Sequence, residues 1–395
     1  MKLSRNVFAL SGVSFLTDVA TEMIYPLLPL FLSTVLGANA AFIGTIEGAA
    51  ESTAALLKLA SGWWSDKTKR RKPFVVWGYG IATFVRPFIA LAQSAGVVLA
   101  IRVADRVGKG IRSSARDALL ADSVEPAARG KAFGFHASAD NAGAVLGPLI
   151  AFALLRYMNL SLRNVFWLAA IPGVLAFIVL VIAVREIEAP AALAADASKP
   201  HLSTSEKLSG RFWAYMGVVL LFTLGNSTDA FLLLRSNQLG VAVALAPILW
   251  AFLNLVKTIF GTWLSGLSDR LGRKPLIIAG WLLYAAVYFG FSRATAPWHA
   301  WALIGAYGLF YAMTEGTEKA LVADIVPKER RGVAFGWYNL AIGLGALPAS
   351  LIFGAIWDKV GAPQAFMFGA TLALTAAVGM SIVAPGRTLA PHRGA

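Results

Sequence analysis

Twelve apolar runs, separated by short charged or Gly/Pro-rich breaks, take up most of this 395-residue sequence. They lie at approximately 7–36, 41–64, 74–93, 97–121, 132–154, 164–184, 213–235, 245–265, 275–295, 299–323, 333–356 and 365–384. A helix needs about 20 apolar residues to cross a bilayer, so the pattern predicts an all-α polytopic membrane protein with 12 transmembrane helices. The composition agrees: 57% apolar, 14% charged, mean hydropathy +0.66. It excludes disorder, collagen and coiled coil. With no cysteine, there is neither a disulfide framework nor a zinc-thiolate site. Lys2 and Arg5 ahead of an apolar stretch imitate a signal peptide. That stretch runs to about Leu36 and carries Asp18 and Glu22, which marks a first membrane helix instead.

The runs fall six and six around a polar break at 185–211, which contains Glu186, Glu188, Asp196, Lys199, Lys207 and Ser203–Ser205. Residues 1–184 and 212–395 are the expected bundles, joined by a solvated linker. The formal charge of +14 would point to nucleic acid in a soluble chain. Here topology explains it. With the N-terminus inside, cytoplasmic segments collect 21 of the 35 lysines and arginines, external loops 5, and the helices 9. This asymmetry predicts both termini in the cytoplasm and removes nucleic acid as a partner; the expected location is a bacterial inner membrane.

The halves repeat each other. Ala118–Val124 matches Ala320–Val326 at an offset of 202, as do Arg129-Gly130 with Arg331-Gly332 and Ala132–Gly134 with Ala334–Gly336. The basic loop Gly62–Pro73 has its counterpart at Ser265–Pro275, with Asp66 and Asp269 offset by 203. Both copies start on the same side, so the repeat is parallel, as in a 6+6 transporter.

At these loops the chain resembles the major facilitator superfamily. Gly62–Lys72 is similar to the family's G-x-x-x-D-[RK]-x-x-[RK]-[RK] signature, and Asp269–Lys274 keeps its core with Ser265 in place of the glycine. Helix 4 carries Arg106 and Gly110 in the family's R-x-x-x-G spacing, with Lys109 where glutamine is commoner. Gly143–Pro148 resembles the G-x-x-x-G-P motif associated with antiporters, although Ala151 and Phe152 replace a further glycine pair. The resemblance implies two six-helix bundles with alternating access. Independently of it, small residues at 143 and 147 permit close helix approach, and Pro148 removes a backbone donor. Asp66, Arg70, Asp269 and Arg273 are the candidate gating residues of the two loops; marking of topology is the plainer reading of the basic ones.

Charge inside a membrane costs roughly 2.5–3.5 kcal/mol per residue on insertion scales, so each instance needs a reason. Helix 4 concentrates it: Arg102, Asp105, Arg106, Lys109, Arg112 and Arg116 fall within an arc of about 120° along about 21 Å. One reading is an anion-attracting wall in which Arg102, Arg106 and Lys109 bind solute. The other is a ladder of ion pairs with Asp18, Glu22, Glu47, Glu51 and the second half. Arg112 belongs with the gating group. At offset 202, Arg116-Asp117 corresponds to Glu318-Lys319 with charges reversed. That reversal predicts cytoplasmic gate pairs Arg116–Glu318 and Asp117–Lys319, with neutralisation inside each helix as the alternative.

Asp18 and Glu22 stand one turn apart on helix 1, followed by Tyr25 and Pro26. They lead the candidate proton carriers, ahead of Asp140, which follows His136 by four residues, Asp229 in the run Asn226–Asp229, and Glu315. Each is equally a candidate partner for an arginine. Helix 10 aligns Tyr307, Tyr311, Glu315 and Glu318 on one face, and Lys257 follows Asn254 on helix 8. Tyr25, Asn226, Lys257, Tyr307 and Tyr311 complete the expected solute contacts.

The four histidines lack metal-ligand spacing, and neither a nucleophile motif nor a Walker A sequence is present. The expectation is a monomeric secondary transporter, not an enzyme, with no cofactor or metal and with protons and a small polar or charged organic solute as its partners in the bilayer. Proton-coupled efflux is the first reading and uptake or exchange of an organic anion the second.

Overall fold

The computed structural model describes residues 4–68, 70–124, 129–187, 208–326 and 331–383. The side chains of Asp66 and Asp269, and the linker from 188 to 207, lie outside the described residues.

Twelve helices follow one another among the described residues: α1 (Arg5–Val35), α2 (Ala40–Thr68), α3 (Lys72–Leu91), α4 (Ala95–Asp122), α5 (Arg129–Arg156), α6 (Leu162–Ala183), α7 (Gly210–Gln238), α8 (Ala246–Leu271), α9 (Arg273–Arg293), α10 (Pro297–Ile325), α11 (Arg331–Lys359) and α12 (Ala362–Val383). Each lies within a few residues of an apolar run. Nine are long and apolar enough to cross a membrane. The other three, α2, α4 and α10, are diluted by polar and charged side chains, several of which belong to the sites described below.

The chain divides into two compact units: residues up to 202 together with Ala242–Ala251, and Ser203–Val241 together with Phe252 onwards. The same packing recurs inside each. In the first, α1 packs on α5 and α6, and α3 on α4 and α6; in the second, α7 packs on α11 and α12, and α9 on α10 and α12. A core of Val7, Leu10, Val13, Val75, Leu119 and Leu120 fills the first unit. The second is more aromatic: Phe222 stacks on Trp281 with centroids 4.5 Å apart, and Tyr284 on Tyr288 at 4.1 Å.

Both units open with a broken helix. A serine caps each start, Ser4 for α1 and Ser209 for α7. α1 is interrupted at 25–27, where Pro26 cannot donate a backbone hydrogen bond, and α7 unwinds at 226–229. The two interruptions correspond at the repeat offset of 202. Both first helices are thus discontinuous at matching positions, which frees backbone groups from the helical ladder there.

The linker begins later than the charge pattern indicates. Asn6 exchanges two hydrogen bonds with the backbone of Arg185, at 2.9 and 3.0 Å. The Glu186 carboxylate accepts the backbone N–H groups of Arg71 and Lys72 at 3.0 and 2.9 Å, capping the start of α3. Residues 185 and 186 therefore belong to the first unit.

Candidate functional site

The stripe on α4 resolves mostly into ion pairs. Arg102 grips Glu47 of α2 at two points, Nη2–Oε2 2.6 Å and Nε–Oε1 3.1 Å. Asp105 takes Arg86 of α3 at 2.7 Å and stands 3.8 Å from Arg102. These four side chains are buried and balance in charge, which is how a membrane interior tolerates them. Arg102 has no open face for a solute, so its expected binding role gives way to the ion-pair reading. Arg106 meets Glu51 at 3.2 Å, and Glu51 is half exposed. Arg112 is buried over the ring of Tyr79, its Cζ 4.1 Å from the centroid.

Lys109 is different. Its side chain is exposed and makes no ion pair or hydrogen bond among the described residues. Its electrostatic neighbours are Glu51, Asp18, Arg106 and Arg112.

Across from α4, the carboxylates of α1 sit on a seam made by α5. A Cβ on Gly143 would come within 2.6 Å of Phe15 O and 2.9 Å of Asp18 Cβ; one on Gly147 would meet Val19 O at 2.6 Å and Glu22 Cβ at 2.9 Å. The Gly-x-x-x-Gly spacing thus brings the α5 backbone against the two acidic residues. Glu22 accepts the indole N–H of Trp250, a residue of the same unit, at 2.6 Å, and Trp250 lies against Tyr25 with centroids 4.9 Å apart. The Asp18 side chain makes no ion pair or hydrogen bond among the described residues; its electrostatic neighbours are Asp140, Glu22, Arg112 and Lys109. Asp140 stands 3.8 Å from His136, whose Nδ1 reaches Ser11.

The second unit has its own cluster. Where α7 unwinds, Asp229 accepts Tyr307 at 2.6 Å and Tyr311 at 3.3 Å, while Tyr284 donates to Gly225 O and Asn226 Oδ1. Lys257 lies over the Tyr311 ring at 4.3 Å and 4.0 Å from Glu315, which Lys319 approaches at 3.6 Å. Asn226, Asp229, Lys257, Tyr307, Tyr311 and Glu315 are therefore one neighbourhood.

The expected gate residues are engaged inside their own units. Arg116 binds Asp117 at 2.9 Å and donates to Ser14, Lys319 binds Glu315, and Glu318 accepts Trp281 and Tyr338. In the basic loops, Arg71 pairs with Asp122 at 3.2 Å and Arg273 with Asp324 at 3.3 Å, the same positions 202 residues apart. The first-half equivalent of Arg273 is thus Arg71, not Arg70; Arg273 also donates to Ser268. Sequence reasoning missed Trp250, Trp281, Tyr338 and the role of Arg86. The repeat offset was the available signal, since it equates Trp281 with Tyr79 and Tyr338 with His136.

The family model described as Major Facilitator Superfamily matches residues 10–346 and 236–394. The chain belongs to the Major Facilitator Superfamily. An uncharacterized MFS-type transporter of Methanocaldococcus jannaschii is 32% identical over 381 residues, covering 94% of this chain and 93% of the relative. A multidrug resistance protein of Cronobacter sakazakii is 30% identical over 116 residues, 29% of each chain. Among solved structures, a D-xylose-proton symporter superposes with a TM-score of 0.76 at 18% identity, covering 96% of this chain and 97% of that one, which shows the fold. The chain is an integral membrane transporter of the superfamily, and the expected fold class stands.

Proposed function

We propose that this transporter exports a small anionic or zwitterionic organic solute from the cytoplasm in exchange for protons, as a monomer in the bacterial inner membrane with both termini cytoplasmic. One observation carries the reading: two opposite charges on neighbouring helices, Asp18 on α1 and Lys109 on α4, make no ion pair or hydrogen bond among the described residues, while Arg106, Glu51, Glu22 and Asp140 near them are each engaged. An unpaired lysine offers a solute anion a place to bind, and an unpaired carboxylate offers a proton one. The antiporter-like glycine seam behind Asp18 and the partial likeness to a multidrug resistance protein support export.

The half-buried Lys257 and the exposed Lys319 support a second reading, uptake or exchange of an organic anion. Proteoliposomes with a lumenal pH dye separate the two when challenged externally with a panel of organic anions and zwitterions. Antiport expels protons and turns the lumen alkaline, whereas symport acidifies it. Loss of the signal in Asp18→Asn, with solute flux down its own gradient retained, is the expected result; an unchanged signal in that variant overturns the role of Asp18.

A further inference from the structure

Glu318 is a buried acid that the proposed exchange does not use and that, unlike Glu47 and Asp105, has no arginine on it among the described residues. It lies on α10 and is 9% exposed. Its two oxygens are taken separately: Oε1 by the indole N–H of Trp281 on α9 at 2.8 Å, Oε2 by the hydroxyl of Tyr338 on α11 at 2.7 Å. The carboxylate has no ion pair among the described residues. The titratable groups around it are Tyr338, Tyr215 on α7, and Glu315 and Lys319 on its own helix, and the cation among these, Lys319, is engaged with Glu315. A buried carboxylate without a cation is costly, and two neutral donors offset only part of that cost.

The repeat sharpens the contrast. At the offset of 202, Glu318, Trp281 and Tyr338 stand where the first unit has Arg116, Tyr79 and His136. Three helices thus present a basic node in one unit and an acidic node at the same place in the other. Arg116 is neutralised by Asp117; the equivalent of Asp117 is Lys319, which serves Glu315 and leaves Glu318 to the aromatic donors.

We infer that Glu318 is a proton-binding site of the second unit, its aromatic cage built to hold the carboxyl in both charge states. Tyr338 is the residue that makes this possible, because a hydroxyl donates to an ionised oxygen and accepts from a protonated one. When Oε2 takes a proton from water, Tyr338 turns from donor to acceptor and its own hydrogen is released from that hydrogen bond; the neighbouring buried hydroxyl of Tyr215 makes no hydrogen bond among the described residues. Trp281, which only donates, stays on Oε1. No side chain has to move, and no bond other than the O–H of the incoming proton's carrier is broken. The inference deepens the proton coupling proposed above and rests on it.

The test is an infrared pH titration of the full chain in lipid nanodiscs, following the carboxylic-acid C=O stretch. Wild type shows a protonated-carboxyl band that bleaches as pH rises; Glu318→Gln lacks it, and Asp18→Asn retains it. Trp281→Phe keeps the band at higher frequency, because the carbonyl oxygen has lost its donor. A Glu318→Gln spectrum with every pH-dependent carboxyl band intact overturns the proposal. If Glu318→Gln does not fold, Trp281→Phe and Tyr338→Phe decide, and bands unmoved in both overturn it equally. Failure of the exchange reading appears elsewhere: a band that titrates in nanodiscs, with no lumenal pH change for any solute, leaves the proton site standing and removes the coupling.

Discussion

Arg102 and Glu47 meet at two points, 2.6 and 3.1 Å, with both side chains buried between α4 and α2. Breaking such a pair from one side leaves a desolvated charge, at about 3–5 kcal/mol, whereas replacing both partners with apolar groups is often neutral. Glu47→Leu or Arg102→Met alone is therefore expected to yield little monodisperse protein and a much lower melting temperature in detergent. The double variant is expected to recover most of the loss. Thermal unfolding with size-exclusion chromatography checks this, and a double variant as unstable as the worse single one contradicts it.

The seam between α1 and α5 predicts a second stability effect. A Cβ on Gly143 has 2.6 Å to Phe15 O, a backbone atom that cannot swing away, while Gly134 on the same helix has nothing within 4 Å. Overpacking costs about 1–3 kcal/mol, so Gly143→Val should melt well below wild type. Gly134→Ala should gain about 0.5–1 kcal/mol from helix propensity. Melting curves for the two variants side by side are the measurement.

Much of this was legible in the residues. Apolar runs located all twelve helices, because membrane length and the short breaks leave few alternatives, and Pro26 announced the interruption of α1. The stripe on α4 was legible as an arc, but not its division into paired and unpaired charges. That division depends on which faces of α2 and α3 turn towards it, and helix packing is set by close contacts such as Gly78 against Gly108 that leave no mark in hydropathy. The aromatic cage of Glu318 was hidden for another reason: tryptophan and tyrosine are ordinary in membrane helices, and only their hydrogen-bonding ends distinguish these. The start of the linker was misplaced because Glu186 looks like a solvated charge while serving as a cap.

Lys109 makes the cleanest separation of function from stability. It is exposed and makes no ion pair among the described residues, so Lys109→Gln should change stability by no more than about 0.5 kcal/mol. Solute-dependent thermal stabilisation by organic anions should disappear in the same variant and survive in Lys109→Arg. Equal anion responses in wild type and Lys109→Gln would remove this lysine from the binding site.

Tyr311 does two jobs that substitution can pull apart. Its hydroxyl donates to Asp229 at 3.3 Å, and its ring face carries the Lys257 ammonium at 4.3 Å. Tyr311→Phe removes only the hydroxyl, and Tyr307 still holds Asp229 at 2.6 Å, so the lysine keeps its platform. Tyr311→Leu removes both. The difference between the two variants isolates the cation–π contact, expected at about 0.5–2 kcal/mol. Tyr307→Phe probes the stronger bond: a hydrogen bond to a charged group contributes about 1.5–3 kcal/mol, so this variant should melt lower than Tyr311→Phe. Melting temperatures of the three proteins in one detergent order them as wild type, Tyr311→Phe, Tyr307→Phe if Asp229 is the centre of the cluster. The reverse order of the two phenylalanine variants would place the anchoring contact at Tyr311 and make Lys257, through its ring, the residue that organises this part of the unit.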